Sequence, residues 1–479
     1  MEKVPFTGRI LVIGCGGVAR CTLPLLLRHL QMPAERITVL DAIDCRADIP
    51  EILTAGVKFI HEQITHKDYA RQLAQYVSQG DMVLDLAWNI GTVDMLDWCR
   101  AHGVMYVNTS VELWNPYSDR ESDPQMRTLY VRHMAIRKLV KGWGDNDGPT
   151  AVLEHGANPG LVSHFTKMGL LDIARKIIRE KSHDARRPAL EKAMATGAYN
   201  RLAQLVGLKV LHISERDTQV TARPKTASEF LNTWSVEGFY EEAIAPAEMG
   251  WGTHESSLPA NACEHLSGPR NQICLDGFGM NTFVRSRVPS SEIVGMVIRH
   301  GEAFTISESL TVADARGRPV YRPTVHYAYL PSDAALLSLD ELRERNYRLH
   351  ERWRILDDEI ETGGDELGCL LMGHDFKSWW TGSVLDISEA RRLVPGQNAT
   401  TLQVAASVLA AVCWMIANPR SGVKVPDELP HAEIVETARP YLGDVVSHPI
   451  DWMPGDPMLD SHHTDSEPWQ FDRFLVSTA

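Results

Sequence analysis

The sequence predicts an α/β chain in two main parts: a doubly wound parallel sheet first, then an α+β domain with a mostly antiparallel sheet. Three observations carry this. Short β-branched runs alternate with helical stretches across the first 155 residues; a glycine-rich turn joins the first run to the first helix; and beyond residue 157 longer alternating runs take over. In order, residues 9–13 form a strand, Gly14-Cys15-Gly16-Gly17-Val18-Ala19 a turn, and 18–29 a helix with Leu23, Leu26 and Leu27 on one side. Residues 37–40 give a second strand ending at Asp41, 57–60 a third, 69–77 a helix, 82–86 a strand and 92–102 a helix. A strand over 104–107, a helix over 128–141 and a strand over 151–153 complete the series. Strands separated by helices of this length make a parallel sheet covered on both faces.

The later part reads differently. Charged helical sequence fills 170–207, followed by alternating runs over 209–215, 293–312 and 320–329, with Arg316-Gly317-Arg318-Pro319 as the turn between the last two. The expected division is a nucleotide-binding domain over 1–155, a substrate domain over 156–395 and a C-terminal segment over 396–479. Its helix, 400–418, is apolar nearly all round, so it should be buried and return to pack on the first domain. The tail after Pro419 reads as irregular.

Composition sets outer bounds. With 48 basic and 62 acidic residues the chain carries a formal charge of −14, which excludes the basic footprint of a nucleic-acid binder and suits a cationic substrate. No stretch approaches the ~20 apolar residues of a membrane span. The N-terminus lacks a signal-peptide core, and the eight cysteines are scattered without a CxxC pair, so a cytoplasmic protein with free thiols is expected. Asn398-Ala399-Thr400 is then a chance sequon. No metal motif appears; His462-His463 in the tail is a poor site.

Gly14 follows a strand and takes the tight turn, Gly16 lets the backbone approach a pyrophosphate, and Ala19 allows close helix–strand packing. The anion sits on the helix N-terminus, whose free N–H groups favour it, so Gly14, Gly16, Gly17 and Val18 are the cofactor-binding candidates. This is the Rossmann fingerprint. Asp41, 27 residues after Gly14, ends the second strand and selects NAD by accepting from the ribose hydroxyls. Ligands in such sheets lie at the carboxyl ends of the strands. The loops Leu86-Ala87-Trp88-Asn89, Asn108-Thr109-Ser110-Val111-Glu112 and Gly156-Ala157-Asn158-Pro159-Gly160 therefore surround the nicotinamide end, where Asn158 either meets a ligand or caps a turn.

The second domain adds Trp234, Glu237, Glu241 and Glu242 within one short block. An aromatic face beside carboxylates is suited to an ammonium group, although a core tryptophan and a solvated acidic face are the plainer reading. Glu215 continues the apolar face of Leu211 and Ile213 and needs a partner. His300 and Glu302 share a strand face at period two, an arrangement for moving a proton. Asp365 lies between glycines, hence in a loop.

The stretches Gly-Ala-Asn-Pro-Gly (156–160), Ser-Glu-Arg-Asp-Thr-Gln (214–219), Asn-Thr-Trp-Ser-Val-Glu-Gly-Phe (232–239) and Ala-Glu-Met-Gly-Trp-Gly-Thr (247–253) resemble the bacterial homospermidine synthases, relatives of the saccharopine dehydrogenases. So do Tyr-Arg-Pro-Thr-Val-His-Tyr-Ala-Tyr (321–329), Arg-Ile-Leu-Asp (354–357), Asp-Glu-Leu-Gly (365–368) and Glu-Pro-Trp-Gln-Phe (467–471). The resemblance implies a redox-neutral reaction on bound NAD. Putrescine or spermidine is oxidised to an imine, a second putrescine exchanges with release of ammonia, and reduction of the new Schiff base gives homospermidine. It further implies that Glu215, Glu242, Asp365 and Asn158 bind amino groups, that Trp234 steadies the cationic intermediate, and that Glu112 lies near the entrance. His300 or a nearby carboxylate serves as base, with Glu237 and Glu302 behind the contact residues. Asn89 stands where the family has an aspartate. A homodimer is implied. A saccharopine- or carboxyspermidine-type reductase and a silent NAD- or polyamine-binding regulator are the competing readings; the reductase needs basic residues for a substrate carboxylate.

Overall fold

A computed structural model describes residues 2–118, 122–181, 183–455 and 468–476; His462-His463 lies outside them. The first domain contains β1 (Ile10–Ile13), α1 (Gly17–His29), β2 (Ile37–Asp41), β3 (Lys58–His61), α2 (Tyr69–Tyr76), β4 (Met82–Asp85), α3 (Thr92–His102), β5 (Met105–Asn108), α4 (Leu129–Gly142) and β6 (Ala151–Val152). The second adds α5 (Leu161–Glu180), β7 (Val210–Asp217), α6 (Val236–Ile244), β8 (Pro246–Gly250), β9 (Ala262–Glu264), β10 (Gln272–Phe278), β11 (Phe283–Arg287), β12 (Glu292–Met296) and α7 (Gly301–Ser309). It continues with β13 (Thr324–Leu330), β14 (Gly364–His374) and β15 (Lys377–Asp386); α8 (Ala399–Ala417), β16 (Val423–Lys424) and β17 (Asp444–Ile450) follow.

The first sheet has seven parallel strands in the order β16-β6-β5-β4-β1-β2-β3. The order reverses between β1 and β4, and in open α/β sheets that point leaves a crevice at the carboxyl ends for a ligand. All four residues of β1 are buried, as a strand with helices on both faces must be. The second sheet has ten strands: β9-β10-β8-β13-β7-β14-β15-β17 in a row, with the β11–β12 hairpin joined at β13. Only β7 and β13 pair in parallel among these, so the sheet is mostly antiparallel.

Helix α8 packs against α1. It is long and apolar enough to cross a membrane, yet 83 % of it is buried inside the protein. Asn398, the sequon residue, is buried and caps this helix by accepting from Thr401 N–H at 2.7 Å. All eight cysteines are free.

Several sequence readings are corrected. The run 293–312 is not one strand: β12 ends at Met296 and α7 begins at Gly301, buried from Gly301 to Ser307. Burial on every side removes the polar face by which a helix is recognised. The helical stretch expected over 170–207 begins earlier, at Leu161, and breaks into three helices. Asp365 lies in a strand, β14, opposite Asp217 and Leu385. The turn is made by Gly363, at φ +92°, whereas a Cβ on Gly364 would stand 2.4 Å from the Leu385 carbonyl oxygen. That second glycine is there for close strand packing. Within the tail after Pro419, β16 and β17 give each sheet a strand.

Candidate active site

The turn after β1 is shaped for a dinucleotide. Gly14 has φ +92°, and a Cβ there would lie 2.9 Å from the backbone of Leu86 and Ala87. Gly16 precedes α1 and faces open space, with nothing within 4 Å of an added Cβ. Gly17 serves a different need, since its Cβ would stand 3.3 Å from Thr401 of α8. Asp41 holds the turn, accepting from Cys15 N–H at 2.6 Å and Ile43 N–H at 2.7 Å. A groove of about 620 Å³ runs from Gly14–Val18 past Asp41 and Leu86–Asn89 to Trp234 and Glu237. The free N–H groups of α1, the open approach at Gly16 and the carboxylate at the end of β2 fit a nicotinamide dinucleotide.

Asn89 and Glu237, read above with the amine site, belong to this groove. Asn89 adopts a left-handed φ of 65°, which asparagine tolerates, and its buried Oδ1 has no partner among the described residues. Glu237 lines the same groove, its carboxyl pushed up by burial and then by Asp41. Asn108, expected against the cofactor, is committed elsewhere. Its Nδ2 donates to Thr92 and Tyr106, its Oδ1 accepts from Glu154 N–H at 2.8 Å, and it lines neither cavity. Thr109 lines the inner cavity instead.

That inner cavity, about 140 Å³, shares Val18, Leu86–Trp88, Trp234 and Ser235 with the groove and extends between the domains. Glu215, on β7, accepts from Asn158 Nδ2 at 2.5 Å and from the Tyr327 hydroxyl, while Asn158 also donates to Tyr327 at 2.5 Å. Burial pushes the Glu215 carboxyl up to about 7 against those hydrogen bonds. Two residues along the strand, Asp217 is pushed to about 6 by burial. Asp365 is raised by burial and then by Glu215 and Asp217, and Thr400 donates to its Oδ2 at 2.7 Å. Asp365 thus stands behind Glu215 rather than in the cavity wall.

From the other side, α6 presents Glu242, raised well above the usual carboxyl range by burial, with Oε2 unpartnered among the described residues. His300 Nε2 lies 3.9 Å from Glu242 Oε1. Burial, then Arg299, lowers the imidazole to about 3, so it stays neutral. Glu112 enters from the β5 loop, accepting from Ser110 at 2.5 Å, and burial and Glu241 raise it to about 7. Trp234 is half-buried, its Nε1 3.4 Å from the Tyr329 hydroxyl and its ring edge-on to Phe239. The expected strand pairing of His300 with Glu302 does not occur. His300 caps α7, and Glu302 in its first turn faces away, accepting from Gly160 N–H at 2.8 Å; it secures the Pro159-Gly160 turn.

Sequence reading missed the cavity's basic residues. Arg132 of α4 reaches Glu241 Oε1 at 2.5 Å, Arg299 donates to the same oxygen, and Trp88 Nε1 donates to Oε2 at 2.8 Å. Although burial alone would raise Glu241, Arg299 and Arg132 hold it down at about 2. Both arginines are anchored on this one carboxylate, and Arg132 Nη1 also lies 3.7 Å from Glu112 Oε2; with Glu112, Glu154, Glu215, Glu241 and Glu242 in the lining against these two cations, the wall stays acidic. Arg299 adjoins His300 in the sequence, but nothing local announces a partner 58 residues away.

Two homospermidine synthases, from Mesorhizobium japonicum and Blastochloris viridis, are each 40 % identical to this chain over 480 residues, covering 98 % of it and 96 % and 97 % of their own lengths. The chain belongs to the homospermidine synthase family. The crystal structure of the homospermidine synthase from Legionella pneumophila in complex with NAD superposes with a TM-score of 0.88, at 35 % identity and full coverage of both chains. The saccharopine dehydrogenase NADP-binding domain matches residues 10–152, and the saccharopine dehydrogenase C-terminal domain residues 156–450. Within this homospermidine synthase fold, the first match ends at the last strand of the consecutive parallel series, β6, and the second begins at the Gly156 turn.

Proposed function

We propose that the chain is a homospermidine synthase that moves the aminobutyl group of putrescine, or of spermidine, onto a second putrescine and releases ammonia. The supporting observation is the wall of buried acids, Glu215, Glu242 and Glu112, beside a cavity continuous with the nucleotide groove. Its arginines, Arg132 and Arg299, are both engaged by Glu241. Such a wall is neutralised by a diamine dication and repels a carboxylate. A saccharopine- or carboxyspermidine-type reductase would need a cation available for its substrate carboxylate, and these two are spoken for.

Bound NAD supplies the uptake and return of a hydride, which makes the overall transfer redox-neutral. The chain's residues handle charge and protons. Glu215, oriented by Asn158 and Tyr327, holds one ammonium group and takes its proton, since a carboxyl near 7 is matched to a base working at neutral pH. Glu242 and Glu112 hold the distal amine, with neutral His300 standing 3.9 Å from Glu242. Trp234, between the two cavities, offers its ring face to the cation. The enzyme works as a cytoplasmic homodimer, checked by light scattering after size exclusion.

Incubation with putrescine and NAD should yield homospermidine and ammonia without accumulation of NADH. Stoichiometric NADH with no secondary amine would overturn the reading. Trp234→Leu should lower kcat roughly 30-fold, the equivalent of the ~2 kcal/mol of a desolvated cation–π contact, and Trp234→Phe should lose much less. Equal losses in both would remove the π face from the account.

The pH dependence has a definite sign. Glu215 and Glu112 titrate near 7 when folded against an ordinary 4.5. Below about 4.5 they are neutral in both states. Between 4.5 and 7 the unfolded chain ionises first, so the unliganded protein loses stability as pH rises through that window. A bound dication relieves the penalty. The rise in Tm produced by putrescine should therefore be small at pH 5 and largest near pH 8; equal shifts at both would count against the acidic wall as the amine site.

A further inference from the structure

One buried carboxyl–imidazole pair touches the cavity without a place in this chemistry. Glu154, just beyond β6, lines the inner cavity. Its Oε2 lies 2.9 Å from Nε2 of His133, on α4. Both side chains are almost fully buried, at 2 % and 4 % exposure. His133 also lines a second cleft, of about 510 Å³, on the far side of the pair, between α4, α7 and the β16 segment. The pair therefore separates two spaces, with its carboxylate facing one and its imidazole the other.

The surroundings fix that carboxylate in place. Glu154 holds a left-handed φ of 54°, a conformation costly for a residue with a side chain, and its N–H is tied to Asn108 Oδ1 at 2.8 Å. A Cβ on Gly301 would stand 2.0 Å from Glu154 Oε2, so the carboxylate occupies space that only glycine leaves. Gly301 is the first residue of α7, where the helix N-terminus stabilises a negative charge. Phe304 packs against the His133 ring, with centroids 5.1 Å apart. The second cleft carries Arg137, Lys141, Glu308 and Asp427 among the aliphatic side chains of Ile136, Val140 and Leu153.

We propose that Glu154 and His133 form a proton relay from the amine cavity to solvent in the second cleft. The idea rests on the synthase reading. Conversion of R–CH₂–NH₃⁺ to R–CH=NH₂⁺ removes a hydride, taken up by the nicotinamide, and one proton. Reduction of the second imine, followed by protonation of the secondary amine, takes one proton back. The cavity is closed by its substrate while this happens, so the proton needs a path that does not run past the diamine. From the nitrogen, directly or through Glu215 and water, it passes to the Glu154 carboxylate and then to His133 Nε2, and the imidazolium releases its Nδ1 proton to water in the cleft. The same groups return it in the reductive half. No bond other than O–H and N–H forms or breaks in the relay.

The test uses the full-length protein with NAD and putrescine. Wild-type production of homospermidine tests the synthase reading by itself, so a failure there is separate from a failure of the relay. His133→Ala should lower kcat about 10²-fold, within the range of a lost acid–base group, with NAD affinity unchanged. Added imidazole, entering through the cleft, should restore turnover several-fold, whereas Glu154→Gln should lose as much and not respond. His133→Gln, which keeps the contact with Glu154 and the packing on Phe304, covers the case in which the alanine variant does not fold. Wild-type turnover in Glu154→Gln or His133→Gln overturns the relay. So does a folded, NAD-binding His133→Ala that imidazole leaves unchanged.

Discussion

Glu241→Ala is expected to lower the stability of the unliganded protein by about 3–5 kcal/mol, the usual cost of leaving buried charge uncompensated. Glu241, Arg132 and Arg299 are only 6–7 % exposed, and both guanidinium groups converge on one carboxylate oxygen. Removing that carboxylate leaves two adjacent buried cations facing Glu112, 3.7 Å from Arg132, with Glu248 and Glu242 acting on Arg299. Because Arg132 belongs to the first domain and Glu241 and Arg299 to the second, the loss falls on the contact that closes the cavity. Equilibrium denaturation measures it. Glu241→Ala combined with Arg132→Met and Arg299→Met should recover much of the loss, since apolar replacement of a whole buried network is often tolerated. A single variant as stable as wild type would show that water reaches these arginines.

The same variant should also impair amine binding, for an electrostatic reason. With Glu241 present both arginines are drawn onto it, and the acids of the wall outnumber them. Without it they compete with the diamine for Glu112 and Glu242, whose carboxyls are already influenced by Arg299. The KM for putrescine should rise even where enough folded protein remains for assay.

How much was legible in the sequence follows from where each signal resides. The first domain was read well because its information is local: a β-branched run, a glycine turn that only glycine can make, and a helix, repeated. Glu215 was found by the same means, a carboxylate continuing the buried face of Leu211 and Ile213. Three other readings failed for identifiable causes. α7 is buried all round, so 293–312 showed alternation without helical period, although Glu302 in its first turn was a usable sign. The glycines around Asp365 suggested a loop, whereas Gly364 and Gly368 lie within β14 and permit close approach to β15. Asn108 sits at the end of its strand as a cofactor ligand would, yet its bonds hold Thr92, Tyr106 and Glu154 in place. Pairings such as Arg299 with Glu241 or His133 with Glu154 join distant segments, and composition cannot register them.

Glu215→Gln is expected to lower kcat/KM for putrescine by 10²–10⁴-fold while leaving the fold intact. The amide keeps the size of the side chain and one oxygen for Asn158 and Tyr327, so packing changes little. What disappears is the negative charge that receives an ammonium group, worth about 1.5–3 kcal/mol in a charge-assisted hydrogen bond, and the proton acceptor itself, worth 10²–10⁴ in rate. Burial also gives the variant a distinguishing mark. Glu215 is held near 7 because its charge is costly when the cavity lacks a cation. The neutral amide escapes that cost, so the unliganded variant should be more stable than wild type at pH 8 and equal to it at pH 4. Slower turnover in a more stable protein is the expected pair of results. A variant that is slower and less stable at pH 8 would place Glu215 in the packing rather than at the amine.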